Sequence, residues 1–297
     1  MDKDIELKLK IVRRSTRRFF QSIRFGPEAI NQSPIIFANS FPKSGTHLLI
    51  QILSGFSDIG PVVNSGLPAI VTFDGTTGRR HSTSSILADL NMLKPGDISY
   101  GHLHAEPEII KRLSTLPFAA YNIMRDPRDV VVSHVHYVTE LAPGHIHHKF
   151  FMEEPSDFNE RLKYSITGIK EFESEESPGQ SSFARLPDIR ARLIPFLVWL
   201  NVDGIFNTRY ETLVVDTDET IGKMLEFAAD RGFVFNINRD KAVQALKEKI
   251  NPQKSPTFRS GKTGEWKQAF NEENKSIFKD LAGDMLIQLG YEKDLNW

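Results

Sequence analysis

Residues 35–49 read Ile35-Ile36-Phe37-Ala38-Asn39-Ser40-Phe41-Pro42-Lys43-Ser44-Gly45-Thr46-His47-Leu48-Leu49. The apolar run after Pro34 reads as a buried strand, Pro-Lys-Ser-Gly is turn chemistry, and Leu48, Leu49, Ile52 and Leu53 recur at helical spacing. A glycine loop between strand and helix turns consecutive backbone N–H groups toward one point at a helix N-terminus, where an anion belongs. Gly45 allows close approach of main chain to a phosphate, Ser44 and Thr46 add hydroxyl donors, and Lys43 supplies a mobile charge. The bland reading of the same residues is a turn with a surface lysine. In a Walker A loop the lysine follows the second glycine, so this order gives no direct support to an ATP kinase.

Working outward, further strands are expected at Ile98 to His102, Ala119 to Met124 and Gly204 to Arg209, with helical segments between them. This alternation predicts an α/β fold, a central parallel sheet flanked by helices on both faces. Pro127 opens a helix whose apolar or aromatic face is Val130, Val131, His134 and Tyr137. Ile277, Leu281, Met285 and Leu289 mark a closing helix that Gly290 caps. The stretches 60–85 and 173–182, rich in small polar residues, are expected as mobile surface loops. No fixed-period repeat appears, and no linker divides the chain into independent halves.

Composition narrows the function classes. With 297 residues, 40% of them apolar, the chain can bury a sizeable core. Lysine plus arginine, 37, balances aspartate plus glutamate, 38, so no overall field recruits nucleic acid, and any anion site must be local. The absence of cysteine removes disulfides, thiolate zinc sites and cysteine nucleophiles together. No apolar run is long enough to span a bilayer, and Met-Asp-Lys-Asp opens no secretory signal, so a cytoplasmic location is expected. Residues 1–30 are set apart from a domain at 31–297. Within 1–24, Ile5, Leu9, Val12, Phe19 and Ile23 fall near helical spacing amid Lys8, Lys10, Arg13, Arg14, Arg17 and Arg18. Such a basic amphipathic helix either packs on its own domain with a solvated basic face, the favoured reading, or touches a membrane surface or partner.

Two more segments carry cations and turn residues. Arg125-Asp126-Pro127-Arg128-Asp129 leaves a strand and enters a helix, with Ser133 eight residues after Arg125. Arg125 can fork onto a phosphate, although an Arg-Asp pair at a helix start is usually structural. A protein-kinase His-Arg-Asp reading fails because no histidine precedes Arg125. Phe258-Arg259-Ser260-Gly261-Lys262-Thr263-Gly264-Glu265-Trp266 is a basic glycine loop ahead of a helix, and its N–H groups can close over a second phosphate.

Taken together, in order and spacing, the three segments resemble the sulfotransferases that use 3′-phosphoadenosine 5′-phosphosulfate (PAPS), over roughly residues 34–270. The resemblance implies a P-loop-like three-layer architecture and sulfuryl transfer from PAPS to an acceptor hydroxyl or amine, leaving 3′-phosphoadenosine 5′-phosphate (PAP). It implies that Lys43, Ser44, Gly45, Thr46 and His47 hold the 5′-phosphosulfate. Arg125 and Ser133 then bind the 3′-phosphate, Arg259, Ser260 and Gly261 close over it, and Tyr210 of Arg-Tyr-Glu meets the adenine. By the same resemblance, Lys43 follows the bridging oxygen as it leaves and Ser133 restrains Lys43 until acceptor arrives.

The family's catalytic base, a histidine at a strand end, corresponds to His102 in Gly101-His102-Leu103-His104. An imidazole can take a proton from a hydroxyl at neutral pH. His104 competes for the role, and a satisfied core histidine is the third reading. Three departures from the pattern stand out: Tyr100 where some relatives have lysine, Leu48 where an aromatic is usual, and Ser260 in place of lysine. No metal is expected: His134 and His136 point to different sides of a helix, and His145, His147 and His148 lack carboxylate or thiolate partners. The segment Ala142 to Phe151 is expected to line an acceptor entrance. Small-molecule, carbohydrate and lipid acceptors all fit, no nucleic acid is expected, and the resemblance implies a tendency to homodimers. The competing readings are a non-catalytic adenosine-nucleotide-binding protein and a P-loop kinase-like phosphotransferase.

Overall fold

The structure is a computed structural model that describes residues 3–170, 173–174, 177–181, 185–255 and 259–297. These residues form two compact units. The first comprises Met1–Thr72, His81–Met124 and Leu197–Ser255; the second comprises Phe73–Arg80, Arg125–Phe196 and Pro256–Trp297.

The first unit is built on a parallel sheet. Its strands are β1 (Ile35–Ser40), β2 (Val63–Asn64), β3 (Ile70–Val71), β4 (Asp97–His102), β5 (Phe118–Met124) and, later in the chain, β8 (Ile205–Arg209). The order across the sheet is β2-β4-β1-β5-β8, with β3 also paired to β4. All residues of β1 and β5 are buried, which is why these central strands read as apolar runs interrupted only by Asn39, Ser40 and Asn122. Helices Thr46–Ser54, Thr217–Asp230 and Arg239–Lys247 cover one face through Leu49, Ile52, Leu53, Met224, Leu225, Val243 and Leu246. On the other face Phe37 meets Phe118, and Arg112 of helix Pro107–Ser114 lies over the Phe118 ring at 4.6 Å.

Two expected loops contain regular structure. Within 60–85, Val63, Asn64, Ile70 and Val71 pair with β4, since β-branched Val63, Ile70 and Val71 extend a sheet wherever an edge accepts them. In the second unit, Asp74 Oδ1 accepts from Thr76 N and Thr77 N at 2.8 and 2.7 Å, an Asx turn that orders the tip of the same stretch. Within 173–182, Glu173–Ser174 (β6) and Ser177–Ser181 (β7) form an antiparallel pair; residues 175–176 and 182 lie outside the described residues.

The second unit packs helices Pro127–His136, His148–Glu153, Phe158–Thr167, Ile189–Leu197 and Glu272–Gln288. Its closing helix buries Phe278, Ala282, Met285 and Leu286, and Gly290 N bonds back to Ile287 O at 2.9 Å.

Candidate functional site

In the first unit, register does the positioning. Asn39 of β1 pairs with Gly101 of β4, so Ser40 and His102 stand side by side at the two strand ends. Gly101 has no alternative, because a Cβ there would lie 2.1 Å from the Ile70 carbonyl oxygen of β3. Asn39 then ties down the residue after His102: its Oδ1 accepts from Leu103 N at 2.8 Å, while Leu103 O accepts from Trp199 Nε1 at 2.8 Å.

His102 Nδ1 lies 3.0 Å from Ser40 O and 3.1 Å from Ser40 Oγ, and Ser40 Oγ is 2.7 Å from Thr46 Oγ1. A carbonyl oxygen only accepts, so Nδ1 carries the proton of the neutral ring and Nε2 keeps the lone pair. Burial holds the His102 pKa below its ordinary value against the Ser40 bond, and the charges of His47 and Lys43 push it the same way. His47 is depressed too, first by burial and then by Lys43. His104 donates its backbone N–H to Thr72 Oγ1 at 3.0 Å.

The loop leading to helix Thr46–Ser54 has an unusual backbone. Lys43 adopts φ 70° and Gly45 φ 96°, and Ser44 N bonds Phe41 O at 3.1 Å. Successive turn residues of this kind aim their N–H groups inward. The Ser44 side chain is fully buried, and its hydroxyl finds no hydrogen-bond partner among the described residues. Tyr210, 7% exposed, lies so close to Gly45 that a Cβ would meet its Cδ2 at 2.4 Å. Gly45 is thus required by both backbone angle and space. Tyr100 lines a cavity of about 310 Å³ with Lys10, Ile50, Leu53, Leu67 and Ser99.

The second unit brings Arg125 to the basic glycine loop. Arg125 Nη2 donates to Lys262 O at 2.7 Å and lies 3.5 Å from Asp129 Oδ2. Asp129 in turn accepts from Gly264 N at 2.7 Å and Trp266 N at 3.0 Å. Burial raises its pKa, opposed first by the Arg125 charge. Asp126 caps its helix by accepting from Arg128 N at 2.9 Å. Arg128 lies over Trp266 and Trp297, which meet edge to face, its guanidinium carbon 3.7 and 4.5 Å from the ring centres, and is structural. Arg259 pairs with Glu265, and Ser260 Oγ accepts from Lys262 N at 3.4 Å. Ser133 is half-buried on helix Pro127–His136. Phe258, at the head of this motif, lies outside the described residues.

The segment 142–151 is mixed in exposure. Phe150 and Phe151 are buried, Phe151 packing 5.5 Å from the His134 ring and Phe150 5.0 Å from Tyr164. Two phenyl rings stabilise a core by several kcal/mol, roughly 2 each, and so turn inward. His134 bonds Ser165 Oγ at 2.9 Å, whereas His136 reaches outward to Glu140 at 2.7 Å. His147, buried beside His145, has its pKa lowered to about 4, by burial first and then by the His145 charge. Among the described residues no group of three or more His, Asp or Glu could hold a metal ion.

Sequence reasoning found the cationic and glycine residues and missed Asn39, Ser40 and Asp129 in their supporting roles. Asp129 had a signal, four residues after Arg125 on a helix. Asn39 and Ser40 had none, since their partners lie across a strand pairing.

A family model for the sulfotransferase domain matches residues 34–290. Among solved structures, mouse sulfotransferase SULT7A1 complexed with PAP is similar in fold, with TM-score 0.57 and 17% identity over 85% of this chain and 84% of that one. Retinol dehydratase with androsterone and PAP gives 0.55 and 15% over 86% and 83%; retinol dehydratase with retinol and PAP gives 0.56 and 16% over the same shares. No curated protein sequence matches.

Proposed function

Because this chain belongs to the sulfotransferase family, as the match over residues 34–290 shows, we propose that it moves a sulfuryl group from PAPS to a hydroxyl or amine of a small-molecule, carbohydrate or lipid acceptor. The transferase domain is 31–297. The observation that carries the reading is the loop after β1, where a fully buried Ser44 hydroxyl without a partner among the described residues and a left-handed Gly45 accompany Lys43. A turn of inward N–H groups with a hidden donor and a cation suits a phosphosulfate.

Lys43, Ser44, Gly45, Thr46 and His47 would hold the 5′-phosphosulfate. Arg125, Ser133, Arg259, Ser260 and Gly261 would hold the 3′-phosphate, and Tyr210, already against Gly45, the adenine. PAPS supplies an electrophilic sulfur with a phosphate leaving group. His102 Nε2 takes the acceptor's proton, while Ser40 keeps the opposite nitrogen protonated and the ring oriented. Its depressed pKa keeps the imidazole neutral at pH 7. Lys43 sets positive charge where negative charge grows during transfer.

An acceptor screen with labelled PAPS tests this reading. His102→Ala is expected to lower kcat by about 10² to 10⁴ with PAP affinity unchanged, and Lys43→Ala to weaken both. If His104→Ala abolished turnover and His102→Ala did not, the base would be His104. PAP binding with no turnover across the panel would favour the non-catalytic nucleotide-binding protein.

A further inference from the structure

Helix Lys3–Phe25 is attached to the first unit by its polar face. Arg14, 6% exposed, donates to Met92 O at 2.8 Å and reaches Asp97 Oδ2 at 3.2 Å. Arg18 donates to Pro95 O at 2.7 Å and Asp97 Oδ1 at 3.0 Å. Gln21 donates to Ser57 O and Gly60 O, Arg17 to Asn64 O, and Arg24 to Asp58 O. Asp97 is fully buried, so the two arginines that neutralise it are anchors of the fold.

The residues that an amphipathic helix ordinarily buries face solvent instead. Ile5 is 51% exposed, Leu9 43%, Val12 62%, Phe19 61%, Phe20 64% and Ile23 67%. At 100° per residue these six fall within one stripe about 100° wide. Lys8 borders it on one side and Arg13 and Arg24 on the other, all exposed. No Asp or Glu occurs from Leu7 to Pro27, and Glu6 is matched by Lys10 at 2.7 Å. The helix packs on its own domain, as the favoured sequence reading has it, and Lys8, Arg13 and Arg17 stay exposed; the apolar stripe is outside as well, because tertiary hydrogen bonds to Asp97 and to carbonyl groups turn the Arg14 and Arg18 face inward.

An exposed apolar stripe of this size calls for a cover, and its charged margins select which. A second copy of the stripe would set cations against cations, whereas paired helices place opposite charges along their seam. An anionic bilayer surface offers hydrocarbon to the stripe and negative headgroups to both margins. The helix is not long and apolar enough to cross a membrane, which leaves the interfacial plane. We propose that helix Lys3–Phe25 lays Ile5, Leu9, Val12, Phe19, Phe20 and Ile23 into the surface of an anionic lipid bilayer, with Lys8 and Arg13 on its headgroups. This docking is independent of the transfer chemistry.

Co-sedimentation of the full chain with vesicles tests it. Phosphatidylcholine vesicles with about 30% phosphatidylserine should pellet the protein, and pure phosphatidylcholine should retain at least about tenfold less. About 0.5 M salt should weaken the binding by shortening the reach of the charges. The double variant Phe19→Asp, Phe20→Asp, at two exposed positions, should keep the thermal midpoint and lose at least about tenfold in vesicle binding. Failure of the wild type to bind anionic vesicles overturns the proposal, and so does undiminished binding by the double variant. If the wild type instead formed a dimer by analytical ultracentrifugation that this variant dissolved, with vesicles ignored, the stripe would be a self-association face and the lipid assignment wrong.

Discussion

The loop after β1 and the loop at Arg259 carry the same chemistry, glycines among cations, but different agents shape them. Around Lys43 and Gly45 the chain shapes itself: two left-handed residues, a bond from Ser44 N to Phe41 O, and the helix that follows at once. Around Gly261 and Gly264 the backbone is held from outside, with Gly264 N and Trp266 N ending on a carboxylate of helix Pro127–His136 and Lys262 O on Arg125. The first arrangement is a local motif and tolerates little change within itself. The second depends on two distant side chains, Asp129 and Arg125, so its weak points lie more than a hundred residues away in sequence.

The sharpest way to break this contrast is Gly45→Ala. A left-handed alanine costs about 1 kcal/mol and the overlap with the Tyr210 ring up to about 3 more, so about 4 kcal/mol of stability and nearly all PAP binding should go. Calorimetry with and without PAP checks both; an alanine variant that still bound PAP normally would show that the loop is not the anion seat.

Acidification should come next, and it separates the units. His147 carries a folded pKa lowered to about 4 from 6.5, so between those values the unfolded chain binds the proton first. Stability falls as pH falls from about 6.5 toward about 4, by no more than about 3 kcal/mol from this group. Replacing His147 by Gln should flatten that slope in denaturant titrations at several pH values. In the first unit the same sign applies to His102, so the acid limb of kcat/KM should fall below pH 6.5.

Asp129→Ala should cost about 2 kcal/mol, because two backbone N–H groups lose their acceptor. It should also weaken PAP while leaving the loop after β1 intact, and exchange protection lost at Gly264 and Trp266 alone would confirm that selectivity. Arg259→Ala should matter least for stability, under about 1 kcal/mol, because its pair with Glu265 is partly exposed. PAP affinity should still drop about tenfold if Arg259 meets the 3′-phosphate.

What could be read in advance followed the range of the interaction. β1 and β5 were visible because a buried parallel strand is a short, mainly apolar run, while β4 and β8, mixed in polarity, were visible from their place between helical segments. The turn chemistry of residues 42–45 was visible because proline and glycine restrict or free the φ angles of their own residues, as at Gly45. Val63, Asn64, Ile70 and Val71 were hidden, being too short to show a period, and became strands only by pairing with β4. The burial of Phe150 and Phe151 was not legible, because it is decided by helices Pro127–His136 and Phe158–Thr167 packing over them.

Helix Lys3–Phe25 shows the division most plainly. Its amphipathic period and its excess of cations follow from residue spacing alone. Which face turns inward was settled by Asp97, a buried carboxylate that needs guanidinium partners more than the stripe needs cover. Local sequence determined the elements and the loop after β1, because propensities and φ preferences act within a few residues. The tautomer of His102, the hold of Asp129 on its loop and the orientation of the first helix were decided by the tertiary structure, because each is a hydrogen bond between residues that only folding brings within 3.5 Å.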